Sequence, residues 1–334
     1  MKNIRLLRGE NMLINILVFF VILFLCFING LTDATNAIST LVGTKVMNFR
    51  KACMLSALFD IIGVFVMYFI NNTIVDCISN IALLPNGTLG LTALCIGMMS
   101  AILFSTVAMF LGIPTSESHG LISGITGSAI AIGGIISINF GEWYNVLIGL
   151  IWSILGTLAI SKFIKVFIKN LVSKIKIKNI KTLQLISCLG MSFAHGAQDG
   201  LKFVGIMSIY SKIVTESNDL TNEILIIFIC ALSMGVGVLI GGKKIVTNVG
   251  ENLVKLENKD ALCSDISTVI SLITASFLGM PVSTTHVKTM SIASISNKRL
   301  NINVFKKMAI TWAITFPICG ILAFMLMKVV MGCS

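Results

Sequence analysis

A chain of 334 residues with 56% hydrophobic residues, only 12% charged residues and a net charge of +11 lacks the charge needed to cover a water-soluble globule of its size. In a soluble protein the basic excess would point to nucleic acid; in so apolar a chain it reads as membrane loops with a positive-inside bias, and nucleic acid is excluded as a partner. Nine cysteines lie scattered, mostly in apolar runs, with no C-x-x-C pair, so buried free thiols are expected rather than a disulfide framework or metal cluster.

Low-charge runs recur near 12–28, 52–70, 89–111, 119–138, 144–161, 224–242, 263–280 and 308–327. Each can cover a hydrocarbon core of roughly 30 Å, which takes about 20 helical residues. Backbone groups in lipid must bond within their own segment, so the runs predict helices. The fold class is all-α, a polytopic protein of the cell (inner) membrane. The first run follows Lys2, Arg5 and Arg8 like a signal peptide, but no small-x-small cleavage site comes after it, so it is expected to remain as a span. Directly behind it stands NGLTDATNAIST, from Asn29 to Thr40. A single helix over 12–44 would be roughly 50 Å long, so a break near the membrane middle is expected, with Asn29, Gly30 and Thr32 as break and cap residues. An ionisable residue such as Asp33 costs about 2.5–3.5 kcal/mol in a span and is a functional candidate by default.

That segment has a partner. FINGLTDATN (27–36) aligns with FAHGAQDGLK (193–202) at an offset of 166, setting Gly30 on Gly196 and Asp33 on Asp199. GIPTSESH (112–119) aligns with GMPVSTTH (279–286) at an offset of 167. Two unrelated motif pairs at nearly one offset divide the chain into halves of one design, about 1–170 and 171–334. Loop charge then gives an orientation. Lys45, Arg50 and Lys51, the seven lysines of the 162–181 connector, Lys243 to Lys259, and Lys298 to Lys307 mark cytoplasmic loops. The 71–88 and 139–143 loops have no Lys or Arg, and 213–223 carries Glu216, Asp219 and Glu223, so these are expected outside. Equivalent loops fall on opposite sides, which makes the halves inverted repeats. The N-terminus, outside in this scheme, dissents through its own three basic residues.

All three histidines, His119, His195 and His286, fall in the four motifs. A helix break is expected beside His195 and Gly196 as well. Pro114 and Pro281 should end the helices before them, and the hydroxyls that follow should cap re-entrant hairpins. Broken ends present amide N–H groups to anions, and carbonyls and carboxylates to cations. A cluster of hydroxyls and amides without arginine suits a tetrahedral oxyanion that must be released again. Gly120-x-x-x-Gly124 and Gly237-x-x-x-Gly241 are read as close-packing scaffold.

These paired motifs resemble those of the inorganic phosphate transporter family, whose halves carry G-x-N-D-x-A-N and A-H-G-x-N-D-x-Q-K, each followed by G-x-P-x-S-x-T-H. The departures are Thr32 and Gln198 for asparagine, Leu201 for glutamine, and Glu117-Ser118 for the usual threonines. The resemblance implies a symporter of inorganic phosphate with Na⁺ or H⁺, sulfate being the cargo of some relatives. Asp33 and Asp199, joined by Asn29, Asn36 and Gln198, are then expected to hold the coupling ion, with Na⁺ at the two aspartates. Thr115, Ser116, Ser118, Ser283, Thr284, Thr285 and Lys202 are expected to contact the anion. Thr32, Glu117, His119, His195 and His286 complete the candidates.

No catalytic residue and no cofactor is expected. An intramembrane hydrolase built on Ser, His and Asp, or on a metal held by His195 and Asp199, is the rival from another class; H-E-x-x-H and G-x-S-x-G are both absent. A passive anion channel is the third reading, against which the intramembrane acids count. The partners expected are phosphate and the lipid bilayer; a homodimer and a cytoplasmic regulatory partner on the basic connector are compatible with the sequence.

Overall fold

The structure is a computed structural model that describes residues 2–33, 36–173, 177–215, 223–296 and 298–333. The described residues are almost wholly helical. α1 (Lys2–Thr32), α2 (Ser39–Gly43), α3 (Phe49–Ile70), α4 (Thr73–Ser79), α5 (Thr88–Leu111) and α6 (Glu117–Gly133) come first. α7 (Phe140–Ile151) passes through a π-helical turn into α8 (Thr157–Ser173). α9 (Ile177–His195) likewise continues through π-helical Gly196–Gly200 into α10 (Leu201–Thr215). α11 (Glu223–Ile240), α12 (Lys243–Thr247), α13 (Asn258–Phe277), α14 (Thr284–Ile295) and α15 (Ile302–Cys333) complete the chain. The described parts of the basic connector belong to the ends of α8 and α9 rather than to a loop. Its Lys174 and Lys176, and Glu216 and Asp219 of the acidic loop, lie outside the described residues.

Among the described residues six helical segments are long and apolar enough to cross a membrane: Met12–Thr32, Phe49–Ile70, Thr88–Leu111, Phe140–Val166, Asn258–Phe277 and Ile302–Cys333. A seventh forms if α11 is joined to the α12 segment, at a bend of 67°. Outward faces of these spans carry large apolar side chains, among them Phe69 and Phe110, which suits contact with lipid rather than water. The run at 119–138, apolar enough to read as a span, behaves differently. It becomes α6, 17 residues long and buried over nearly its whole length, packed between α5 and α15. Hydropathy cannot separate a helix in lipid from one enclosed by other helices.

Packing is organised in exchangeable pairs. α1 packs on α11 and α9 on α3; α1 on α5 and α9 on α13; α6 on α15 and α14 on α8. The α1–α11 crossing shows how close these contacts are. A Cβ on Gly30 would lie 1.9 Å from the Met234 carbonyl oxygen, and one on Gly237 would lie 2.1 Å from that of Phe27. Two backbones can approach this closely only with glycine on both sides.

The expected helix break differs between the two motifs. In the first, α1 ends at Thr32 and helix resumes at Ser39; the Thr32 hydroxyl donates back to the Ile28 carbonyl at 2.9 Å, within the last turn. Asn29 and Gly30 lie inside α1 rather than at its end. In the second, the helix does not break at His195–Gly196 but widens into the π turn and continues as α10. Gly196 there lies so near the backbone of Asp60 on α3 that its Cβ would be 2.0 Å from that carbonyl oxygen.

Candidate functional site

Both Gly-x-Pro motifs fold alike. α5 and α13 each end before a glycine of left-handed φ, Gly112 at +71° and Gly279 at +66°, and the prolines follow the helix ends. Ser116 then caps α6 by accepting from the His119 amide at 3.4 Å, and Ser283 caps α14 by accepting from the His286 amide at 3.3 Å. Such caps contribute about 1 kcal/mol each. The two caps sit 167 residues apart. Ser116 and Ser283, expected to contact an anion, are thus engaged as caps, and Thr115 is buried just ahead of the first cap.

The next residues of α6 and α14 reach the aspartates, each crossing to the other half of the chain. Ser118 donates to Asp199 at 3.3 Å, and Thr285 donates to Asp33 at 3.1 Å. A third member completes each set: Lys202 donates to Ser118 at 2.8 Å, and Asn36 donates to Thr285 at 2.9 Å. Asn36 and Lys202 are equivalent residues at the 166 offset. The result is two triads of one plan, Asp33–Thr285–Asn36 and Asp199–Ser118–Lys202, all six side chains buried.

Electrostatically the triads are unequal. Asp199 also accepts from Thr284 at 3.0 Å and Asn29 at 3.4 Å, lies 3.1 Å from His195 Nε2, and is ion-paired to Lys202 at 2.6 Å. In the triad of Asp33 the neutral Asn36 takes the place of Lys202, and among the described residues no Lys, Arg or His forms an ion pair with Asp33. Lys202 spends its remaining donor on the Val282 carbonyl at 2.6 Å. All three of its N–H groups are therefore committed, as befits a counter-charge to Asp199.

Around the triads lie buried acceptor oxygens that take no hydrogen bond among the described residues: Asn29 Oδ1, Asn36 Oδ1, Gln198 Oε1 and both carboxylate oxygens of Glu117. Gln198 itself donates to the Met280 carbonyl at 3.2 Å. Buried acceptors left without donors are costly, and a set made of oxygens alone suits a hard cation. Leu201, where the resembled family keeps a glutamine, is a fully buried member of the apolar core.

His119 and His286 are not brought to the aspartates. Their rings meet each other at 5.1 Å between centroids, with His119 stacked on Phe316 at 4.6 Å and His286 against Trp312 at 4.1 Å. His195 lies between two carboxylates, its Nδ1 at 2.9 Å from Asp60 and its Nε2 on Asp199. With both ring nitrogens facing carboxylates, it has no serine to activate, and His195 and Asp199 face each other rather than a shared metal. Among the described residues no group of three or more His, Cys, Asp or Glu could hold a metal ion.

Sequence reasoning missed Asp60 and a second buried cluster. Lys288 on α14 pairs with Asp265 on α13, and Thr40 on α2 donates to the same carboxylate at 2.7 Å. Ser187 on α9 reaches its other oxygen at 3.5 Å. The signal was present: Asp60 and Asp265 are acids inside runs already read as spans.

Buried carboxylates and hydroxyls, gathered from several helices of a multi-pass bundle, are the arrangement of a membrane transporter. The sequence profile of the phosphate transporter family matches residues 29–323, and the chain belongs to that family. It is 33% identical over 308 residues to the "Probable low-affinity inorganic phosphate transporter" of Bacillus subtilis (strain 168), covering 89% of this chain and 91% of that protein. It is 28% identical over 322 residues to the protein of the same description from Rhizobium meliloti (strain 1021), covering 91% and 92%. Among solved structures, "The sodium-dependent phosphate transporter" superposes with a TM-score of 0.79 at 19% identity, over 96% of this chain and 100% of that one, a likeness of fold.

Proposed function

We propose that this protein imports inorganic phosphate by symport with Na⁺, and that the cation seat is at Asp33. The observation that carries the reading is the unequal pair of triads. Asp199 is balanced by Lys202 and faces His195, whereas the triad of Asp33 has neutral Asn36 in the place of Lys202, and buried oxygens of Asn29, Asn36, Gln198 and Glu117 are left without donors among the described residues. An unbalanced carboxylate among oxygen acceptors favours a metal cation over a proton, because each of those oxygens is a ligand to Na⁺ and none is needed by H⁺. Asn29, Asn36 and Gln198 support Asp33 in this role, and Glu117 adds a second carboxylate.

The hydroxyls that would meet the anion, Ser118, Thr284 and Thr285, donate to the two carboxylates. A cation at Asp33 draws carboxylate charge toward itself and releases Thr285 for an incoming oxyanion. Cation and anion then bind cooperatively at the junction of α6 and α14, whose N-termini add favourable dipoles. Phosphate is favoured over sulfate, since at neutral pH it retains a proton to donate to a carboxylate. The halves, 1–170 and 171–334, act in this reading as inverted repeats that expose the site to either side in turn; loop charge and the exchangeable helix pairs support that arrangement.

The test is uptake of labelled phosphate by proteoliposomes. An inward Na⁺ gradient should drive accumulation that excess sulfate leaves largely intact. Accumulation driven equally by a pH gradient without Na⁺ would transfer the coupling to protons. Equal uptake with no gradient would make the protein a channel.

A further inference from the structure

Three span ends converge on the bend between α11 and α12: α3 begins at Phe49, α5 ends at Leu111 and α11 ends at Ile240. A groove of about 600 Å³ lies between the start of α3 and the end of α11, lined by Asn48, Phe49, Arg50, Leu239, Ile240 and Lys243. Lys243 also borders a second groove of about 500 Å³ that runs past Phe110, Leu111 and Lys244. Arg50 and Lys243 are exposed and have no ion pair among the described residues. Directly beside them Leu239 and Ile240 turn outward, 51% and 60% exposed, on a span that packs against α3.

The wall of this groove is thus amphipathic in the order a phospholipid requires. Two cations stand at the span ends, the depth of the headgroups, and an apolar strip descends from them along α11. An arginine beside a lysine suits a phosphodiester, because the guanidinium can offer two parallel N–H groups while the ammonium supplies a point charge. Net basic pockets between transmembrane helices select anionic headgroups. We propose that this groove is a binding site for one anionic phospholipid, its headgroup phosphate held between Arg50 and Lys243 and an acyl chain lying on Leu239 and Ile240.

The site is wired to the transport motif. Lys244 donates to the Phe110 carbonyl at 3.2 Å, and Asn248 donates to the carbonyl of Gly112 at 2.5 Å. Gly112 is the first residue of GIPTSESH, the segment that carries Ser118. A lipid that fixes Lys243 therefore also steadies the α12 segment against the entry to α6. The placement owes nothing to the identity of the transported ion, so its test is independent of phosphate uptake.

The purified full-length protein, incubated with equal amounts of phosphatidylglycerol and phosphatidylcholine, is examined by native mass spectrometry for retained lipid. Wild type should retain phosphatidylglycerol preferentially. The Arg50→Gln/Lys243→Gln variant should lose that preference by about tenfold, the scale of one to two surface charges facing an anionic lipid. The charge-preserving Arg50→Lys/Lys243→Arg variant should keep it, which separates loss of the site from loss of the fold. Lys212→Gln should keep it as well, since Lys212 instead donates to Ser79 and Asn80. Equal retention of both lipids by wild type, or an unchanged preference in the double glutamine variant, would overturn the proposal. Displacement of the bound lipid by inorganic phosphate would do so too, assigning the cations to the free ion.

Discussion

The Asp33→Asn variant is expected to insert, purify and melt like wild type, while its phosphate accumulation falls to the level of empty liposomes whatever Na⁺ gradient is imposed. Asp33 is buried without a cationic partner among the described residues, so neutralising it strands no opposite charge. The asparagine keeps an acceptor for the Thr285 hydroxyl, whose other contact, from Asn36, is unaffected. What disappears is the charge that attracts a cation into a region from which water is excluded, where charge–charge terms are at their largest. Thermal melting and gradient-driven uptake, measured on the same preparation, check the two halves of the prediction.

The same chemical change at the equivalent residue should behave in the opposite way. Asp199→Asn leaves Lys202 buried with no ion-pair partner, and removes the carboxylate that faces His195. Breaking a buried pair from one side costs roughly 3–5 kcal/mol, because the surviving charge is left uncompensated. A large loss of thermal stability is therefore expected, with poor recovery from the membrane. The double variant Asp199→Asn/Lys202→Met should regain much of that stability, since replacing both members of a buried pair is often close to neutral. It should nevertheless fail to transport, because Ser118 and Thr284 lose the carboxylate that orients them. A single variant as stable as wild type would mean that Lys202 does not depend on Asp199.

Much of this site was legible in the sequence because it is duplicated. Asp33 with Asp199, and Ser118 with Thr285, stand out through their shared offset, and the structure joins them across the halves. The partnership of Asn36 with Lys202 was equally available from that offset, but one is neutral and the other charged, so residue type concealed the equivalence. Asp60, Asp265 and Lys288 escaped because the positions 167 residues away are Ile227, Met98 and Leu121; a search for repeats finds only what is repeated. The enclosed α6 was misleading for a different reason. Its apolar residues satisfy a lipid environment and a helical one equally well, and only the packing partners decide. The π turn at Gly196–Gly200 has no periodic signature over so few residues, and the close passage of the Asp60 backbone beside Gly196 is a tertiary contact that the local sequence does not announce.

Phosphate binding to the purified protein, titrated at a series of Na⁺ concentrations at fixed pH and ionic strength, addresses the central claim most directly. If Na⁺ at Asp33 releases the hydroxyls for the anion, phosphate affinity should rise with Na⁺, and Na⁺ affinity should rise with phosphate by the same factor, as linkage requires. Asp33→Asn should bind phosphate with an affinity that no longer responds to Na⁺. A wild-type phosphate affinity that stays constant across the Na⁺ series would contradict the account.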